Sequence, residues 1–252
     1  MRERDPGAAL TDAQRRAAEH GHKAMMPIHG RPFLDYVLSA LADAGLTRTA
    51  LVVAPDFDRL REYYEREAPP SRLRVDFVVQ PEARGTADAV LAAEAWTAGE
   101  PFLALNGDNL YPMAVLRDLA ALNEPGLPAF DADDLVRGGN IPPERVAAFA
   151  LLDLGDDGYL RSIVEKPGDL RPEGRSYISM NVWRLDARIF DACGDVPRSV
   201  RGEYELPEAV GLAIARGVRF RAIPACGPVL DLSRRADAAD VERRVAGMEP
   251  RP

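Results

Sequence analysis

The stretch FLALNGDNLYP, Phe102 to Pro112, runs four apolar residues straight into Asn106-Gly107-Asp108-Asn109. A short continuous apolar run of this kind reads as a strand covered on both faces. In open α/β sheets ligands bind beyond the carboxyl ends of the strands. This strand therefore delivers a carboxylate, Asp108, on a glycine turn to the place where a ligand would sit. What Asp108 meets there decides the reading of the chain.

Working outward, PFLDYVLSALADAG (32–45) has apolar residues at 33, 34, 37, 38 and 41, which is helical spacing, with Pro32 suited to the first turn and Gly45 to the stop. TALVVA (49–54) reads as a strand, 57–67 as a helix, LRVDFVVQ (73–80) as a strand, GTADAVLAAEAW (85–96) as a helix and 113–122 as another. TDAQRRAAEH (11–20) is polar and helix-prone. Strands alternating with helices of about a dozen residues are βαβ units. The expected fold is α/β: a Rossmann-like, mixed, mostly parallel sheet flanked by helices. Gln80 and Asp108 both fall at strand carboxyl ends.

The second half changes character. RVAAFALLDLGDDGYLRSIVEKP (145–167) reads as two strands around the turn Asp156-Asp157-Gly158. YISMNVWRL (177–185), VRFRAIPA (218–225) and PVLDL (228–232) read as strands, and ARIFDAC, YELPEAVGLAIARG and 233–246 as helices. We expect one domain over 1–252, with a nucleotide-binding half (1–122), a sugar-phosphate half (146–246) and a Pro- and Gly-rich inserted loop (123–145).

Bulk properties exclude little but point one way. The chain has 252 residues, 46% of them hydrophobic, enough for a sizeable core, and a formal charge of −8. Nucleic-acid backbone binding needs a basic surface, which this is not. No apolar run approaches the roughly 18 residues of a membrane span, and MRERDPGAAL has no signal-peptide core. Cys193 and Cys226 are far apart and read as buried free thiols of a cytoplasmic protein. His20, His22 and His29 lack a completing Cys or acid, so no zinc site is expected.

The ordered set KAMMPIHGRPFLDYVL, QPEARGTADAV, LNGD, IVEKP, SMNVW and VLDLS resembles the sugar-phosphate nucleotidyltransferases, the sugar-1-phosphate pyrophosphorylases of the thymidylyl-, uridylyl- and guanylyltransferase type. The resemblance spans about residues 22–246. Each motif alone is weak; six in order are fairly specific. It implies transfer of a nucleotidyl group from an NTP to a sugar 1-phosphate, with magnesium and release of pyrophosphate. Both substrates are polyanions, so positioning and charge neutralisation must do most of the work.

On that resemblance Asp108 is a magnesium ligand, and Gly107 lets phosphates approach the backbone; otherwise Asp108 caps its turn. Asp231 resembles the second metal ligand; otherwise it caps the last helix, a role Ser233 could also fill. Lys23 resembles the lysine at the reaction centre, against a plain surface lysine. Lys166 would bind the sugar phosphate and Glu165 the sugar hydroxyls, against a surface ion pair. Gln80 has an amide able to read a base edge, with Gly85 and Thr86 lying against the base. Asn181 would bind sugar hydroxyls. Trp183, two residues on along a strand, either lines the pocket or belongs to the core.

The resemblance also has a gap. The family's initial strand and Gly-rich loop, ending in Arg and cradling the triphosphate, have no counterpart in residues 1–22. Losing about five buried apolar residues at roughly 1.5–3 kcal/mol each would remove on the order of 10 kcal/mol, leaving a slot beside TALVVA and FLALNG. The expectation is a truncated start, with activity compromised in the chain as it stands. Two rival functions remain: a non-catalytic nucleotide- or sugar-phosphate-sensing relative, and a nucleotide-sugar-dependent glycosyltransferase. Which NTP, which sugar and whether the protein is a homo-oligomer are not legible.

Overall fold

The computed structural model describes residues 10–12, 14–15, 23–146, 149–164 and 176–252. Its first elements are the short antiparallel strands β1 (Pro27–Ile28) and β2 (Arg31–Pro32), which lead into helix α1 (Phe33–Asp43). Pro32 stands at the N-cap, and the helix stops at Ala44 and Gly45, whose φ of 92° suits only a residue without Cβ. Next come β3 (Arg48–Val53), α2 (Asp58–Glu62) with a π turn over Tyr63–Glu67, and β4 (Arg74–Val79). Helices α3 (Thr86–Ala92) and α4 (Glu94–Thr97) divide at Ala93 what the sequence presents as one helix.

Strand β5 (Phe102–Leu105), the short β6 (Asn109–Leu110) and α5 (Met113–Ala121) follow. Residues 123–145, expected as an inserted loop, contain β7 (Gly126–Asp131), α6 (Ala132–Gly138) and part of α7 (Pro143–Val146). This corrects the sequence reading, because β7 is buried along nearly its whole length and lies inside the sheet. The remaining strands are β8 (Ala150–Leu154), β9 (Leu160–Val164), β10 (Tyr177–Ser179), β11 (Val182–Leu185), β12 (Arg221–Ala225) and β13 (Leu230–Asp231). The remaining helices are α8 (Arg188–Asp195), α9 (Leu206–Ala215) and α10 (Asp237–Arg244).

The main sheet runs β5-β11-β7-β10-β8-β9, with β12 also on β7. The α/β class and the mixed sheet are as expected. The parallel share is smaller than the βαβ reading implies: among the described residues the parallel pairs are β3–β4 and β7–β12. β3 and β4 form a separate pair, and no described strand joins them to β5. Side chains along β3 and β5 are accordingly only half-buried despite their apolar sequence.

Alternation along the strands splits the core into two clusters. Leu103 and Leu105 of β5 and Val182 of β11 pack with Phe33, Leu38, Leu116 and Val229. Phe102 and Ala104 of β5, and Trp183 and Leu185 of β11, pack with Phe190, Val210 and Phe220. The period of two thus sends each strand's neighbours to opposite faces, both covered by helices. No helix among the described residues is long and apolar enough to cross a membrane.

Candidate active site

The strand that opened the sequence reading ends at Leu105, and Asp108 follows on a turn in which the Asn109 amide donates to the Asn106 carbonyl at 3.3 Å. The chain then enters β6, which pairs antiparallel with β13, placing Asn109 opposite Asp231. The Leu232 amide donates to the Asp108 carbonyl at 2.9 Å. The turn that carries Asp108 and the strand that carries Asp231, more than a hundred residues apart in sequence, are thereby held side by side.

Each carboxylate has a cation. Lys23, on a 3-10 turn before β1, brings Nζ to 3.4 Å from Asp108 Oδ2, with both side chains partly exposed. Asp231 is buried and engaged on both oxygens: Ser233 Oγ donates to Oδ1 at 2.5 Å, and Arg145 Nη2 donates to Oδ2. Arg145 Nη1 also reaches Asp237 Oδ1 at 3.0 Å. Asn140 brackets the Asp231 backbone, donating to its carbonyl and accepting from its amide, both at 2.8 Å. Burial raises the Asp231 carboxyl above the ordinary carboxylate range; Ser233 and Arg145 oppose the rise, and Asp108 and Asp237 add to it. Asp231 therefore does not cap the last helix: α10 has Ala236 at its N-cap, without a side-chain hydrogen bond.

Tyr111 ties this centre to a second turn. Its buried hydroxyl donates to the Met180 carbonyl at 2.7 Å. Asn181 sits there with φ 53°, a left-handed conformation that asparagine tolerates better than most residues, and its amide donates to Ser179 Oγ at 3.3 Å. This kink separates β10 from β11, so simple strand alternation does not carry from Asn181 to Trp183. Of the two places open to Trp183, the structure takes the core: the residue is 0% exposed within the second cluster. Its Nε1 is buried without a hydrogen-bond partner among the described residues.

Gln80 lies at the carboxyl end of β4, its amide donating to the Val53 carbonyl at 2.8 Å. Its side chain reaches the following loop, where Nε2 donates to the Gly85 carbonyl at 3.1 Å and to Asp88 Oδ2 at 2.7 Å. Gly85 has φ 120°, and an added Cβ would lie 2.3 Å from the Tyr204 carbonyl oxygen. The Tyr204 amide donates to the Arg84 carbonyl, and the Ala87 amide donates to the Tyr204 carbonyl. Thr86 Oγ1 accepts from the Leu206 amide at 2.9 Å. Gly85 and Thr86 thus anchor the loop to the start of α9, whatever else they touch.

Glu165 and Lys166 lie outside the described residues, as do His20 and His22. Cys193 is buried, as expected; Cys226 is exposed, which corrects the reading of both as buried. No local sequence signal marks Arg145 or Asn140, which lie in the segment that reads as an inserted loop. Asp88 carried a faint one, as an acid a short way past a strand-terminal glutamine.

Residues 18–226 match the nucleotidyl transferase family, and the chain belongs to it. Among curated relatives, UTP--glucose-1-phosphate uridylyltransferase AglF of Haloferax volcanii is 27% identical over 223 residues, covering 88% of this chain and 87% of that protein. The bifunctional protein GlmU of Methanococcus vannielii is 27% identical over 195 residues, 76% of this chain but only 42% of GlmU, so the chain spans less than half of that relative. In fold, UTP-bound UGPase from Acinetobacter baumannii superposes with a TM-score of 0.74 at 17% identity, covering 90% of this chain and 87% of the other.

Proposed function

We infer that this chain transfers a nucleotidyl group from an NTP to a sugar 1-phosphate, releasing pyrophosphate and forming an NDP-sugar. The observation that supports this reading is the Lys23–Asp108 contact beyond the carboxyl end of β5, with the strand that carries Asp231 brought alongside by the β6–β13 pairing. The names of the relatives, among them a uridylyltransferase, support the same chemistry.

The reaction pushes two anions together, so the site must supply positive charge. Lys23 is a point charge placed to bind phosphate once it leaves Asp108. Asp108 and Asp231 are the residues that would hold Mg²⁺. Magnesium takes one or two carboxylates and fills its shell with water and phosphate; Asp108 is partly exposed, and Asp231 would join it once Arg145 or Ser233 released a carboxylate oxygen. Both acids already hold cationic side chains, which marks the spot as one that favours positive charge. When bound, the ion would neutralise phosphate charge and orient the reacting groups.

Gln80 faces the base, while Asn181, with Lys166 and Glu165 from the sequence, forms the sugar-phosphate side. The test is a matrix of NTPs against sugar 1-phosphates with magnesium, scored for pyrophosphate and NDP-sugar. Formation of a glycoside, or binding of nucleotides without turnover of any pair, would overturn the reading in favour of a glycosyltransferase or a sensing relative respectively.

A further inference from the structure

Asp88 is 8% exposed and stands between two side chains: Gln80 Nε2 at 2.7 Å on Oδ2 and Arg84 Nη2 at 2.7 Å on Oδ1. The second partner of Gln80 Nε2 is the Gly85 carbonyl at 3.1 Å. An ionised carboxylate and a backbone carbonyl can only accept, so the amide nitrogen must face both of them, and its two hydrogens are then used. No other orientation of the Gln80 amide satisfies these neighbours. Its Oε1 has no donor among the described residues and is not sealed in the interior.

We propose that Asp88 is a positioning residue that locks the Gln80 amide with its carbonyl oxygen outward, so that the site reads the nucleotide base through a hydrogen-bond donor on the base and never through an acceptor. This rests on the assignment of Gln80 to base recognition in the proposed function. A free glutamine can offer either end of its amide to a base. Gln80 as held here offers one, and a wrong base edge meets lone pairs with no donor to relieve them. Arg84 contributes by holding the Asp88 carboxylate in place; its side chain is 46% exposed, so it remains adjustable. The loop cannot drift to compensate, because Tyr204 grips it on both sides of Gly85.

The experiment is calorimetric titration of the full chain with UTP, dTTP, GTP, CTP and ATP, for the native protein and for Asp88→Asn, Gln80→Ala and the double variant. Asparagine at 88 can donate to Gln80 Oε1, so that only the Gly85 carbonyl, at 3.1 Å, still favours the native orientation and the turned amide becomes populated. The expected result is a native preference for its best NTP over its worst of about tenfold or more, an unmade buried polar contact being the cause. Asp88→Asn should shrink that ratio severalfold by tightening the weak nucleotides and loosening the best one. The double variant should match Gln80→Ala alone, the non-additivity expected of residues acting as one unit.

A purely structural role for Asp88 would weaken all five nucleotides alike and leave the ratio unchanged, and that result overturns the proposal. Should Asp88→Asn fail to melt cooperatively, Asp88→Ser, whose hydroxyl also donates or accepts, carries the same test. A native protein that binds none of the five overturns the functional reading itself. A native protein that ranks them, with the ranking untouched in the Asp88 variants, overturns the positioning role alone.

Discussion

Lys23 Nζ stands 3.4 Å from Asp108 Oδ2, across 85 positions of sequence. Both side chains are partly exposed, at 35% and 23%. A pair of this kind contributes about 0–1 kcal/mol to stability, so its arrangement is better explained by what it does than by what it holds together. Lys23→Met should leave the melting temperature within a few degrees of native while weakening NTP binding and turnover together. Asp108→Asn should lower turnover by at least about 100-fold at saturating magnesium, as when charge stabilisation of phosphates is removed. Near-native rates in the asparagine variant, measured by pyrophosphate release, would show that Asp108 is not a metal ligand.

The buried ion pair behaves oppositely. Arg145 faces Asp231 and Asp237 in the interior, and removing one partner of such a cluster leaves charge with no counter-ion. Arg145→Met should cost roughly 3–5 kcal/mol at neutral pH, read from urea unfolding. The cost should shrink in acid, because the Asp231 carboxyl already titrates above the ordinary range and becomes neutral there. A variant as stable as the native protein at pH 7 would show that the pair is not a structural element.

Much of this architecture was legible because period and punctuation agreed. α1, β3, β4 and α5 fall within a residue or two of where apolar spacing placed them, and β5 covers only the apolar part of the 101–108 run read as a strand. β7 was missed because Gly126 and Pro128 lie inside six residues, a pattern that reads as loop. The proline is tolerated because that edge changes partners there: β11 pairs at Gly126 and β10 resumes at Phe130. Tertiary pairing overrode the local signal. The contact of Lys23 with Asp108 and the approach of the Asp231 strand follow from no local signal, since no local rule joins β6 to β13. Arg145 was invisible for the same reason: its value comes from partners 86 and 92 residues away.

The two cysteines separate cleanly. Burial pushes the Cys193 thiol up to about 12 from 9.0. A thiol reagent at pH 8 should label Cys226 and spare Cys193 until denaturant is added, which mass spectrometry can count. The same burial predicts alkaline instability. The folded form keeps Cys193 protonated, so its contribution is intact below about pH 9 and is lost between about 9 and 12, as the unfolded chain sheds a proton that the fold retains. The slope from this one group is about 1.4 kcal/mol per pH unit. Cys193→Ala should flatten that part of the stability curve; an unchanged slope would assign the alkaline loss to other groups.

Gly85 separates backbone strain from close approach. Its φ of 120° is one that residues with a Cβ rarely adopt, and a methyl group there would sit 2.3 Å from the Tyr204 carbonyl oxygen and 2.7 Å from its amide nitrogen. Gly45 also has positive φ, 92°, yet an added Cβ there meets nothing within 4 Å among the described residues. Gly45→Ala should therefore cost only the conformational strain, about 1 kcal/mol. Gly85→Ala must in addition push the 84–87 loop away from Tyr204, breaking two backbone hydrogen bonds and moving the carbonyl that holds Gln80 Nε2. The expected outcome is a larger loss, on the order of 3 kcal/mol or more, together with weaker nucleotide binding that Gly45→Ala does not show. Thermal melts and NTP titrations on the two variants give both readouts. Equal stability losses, or nucleotide affinity unchanged in Gly85→Ala, would mean that the loop is free to adjust and that Tyr204 does not set the position of Gln80.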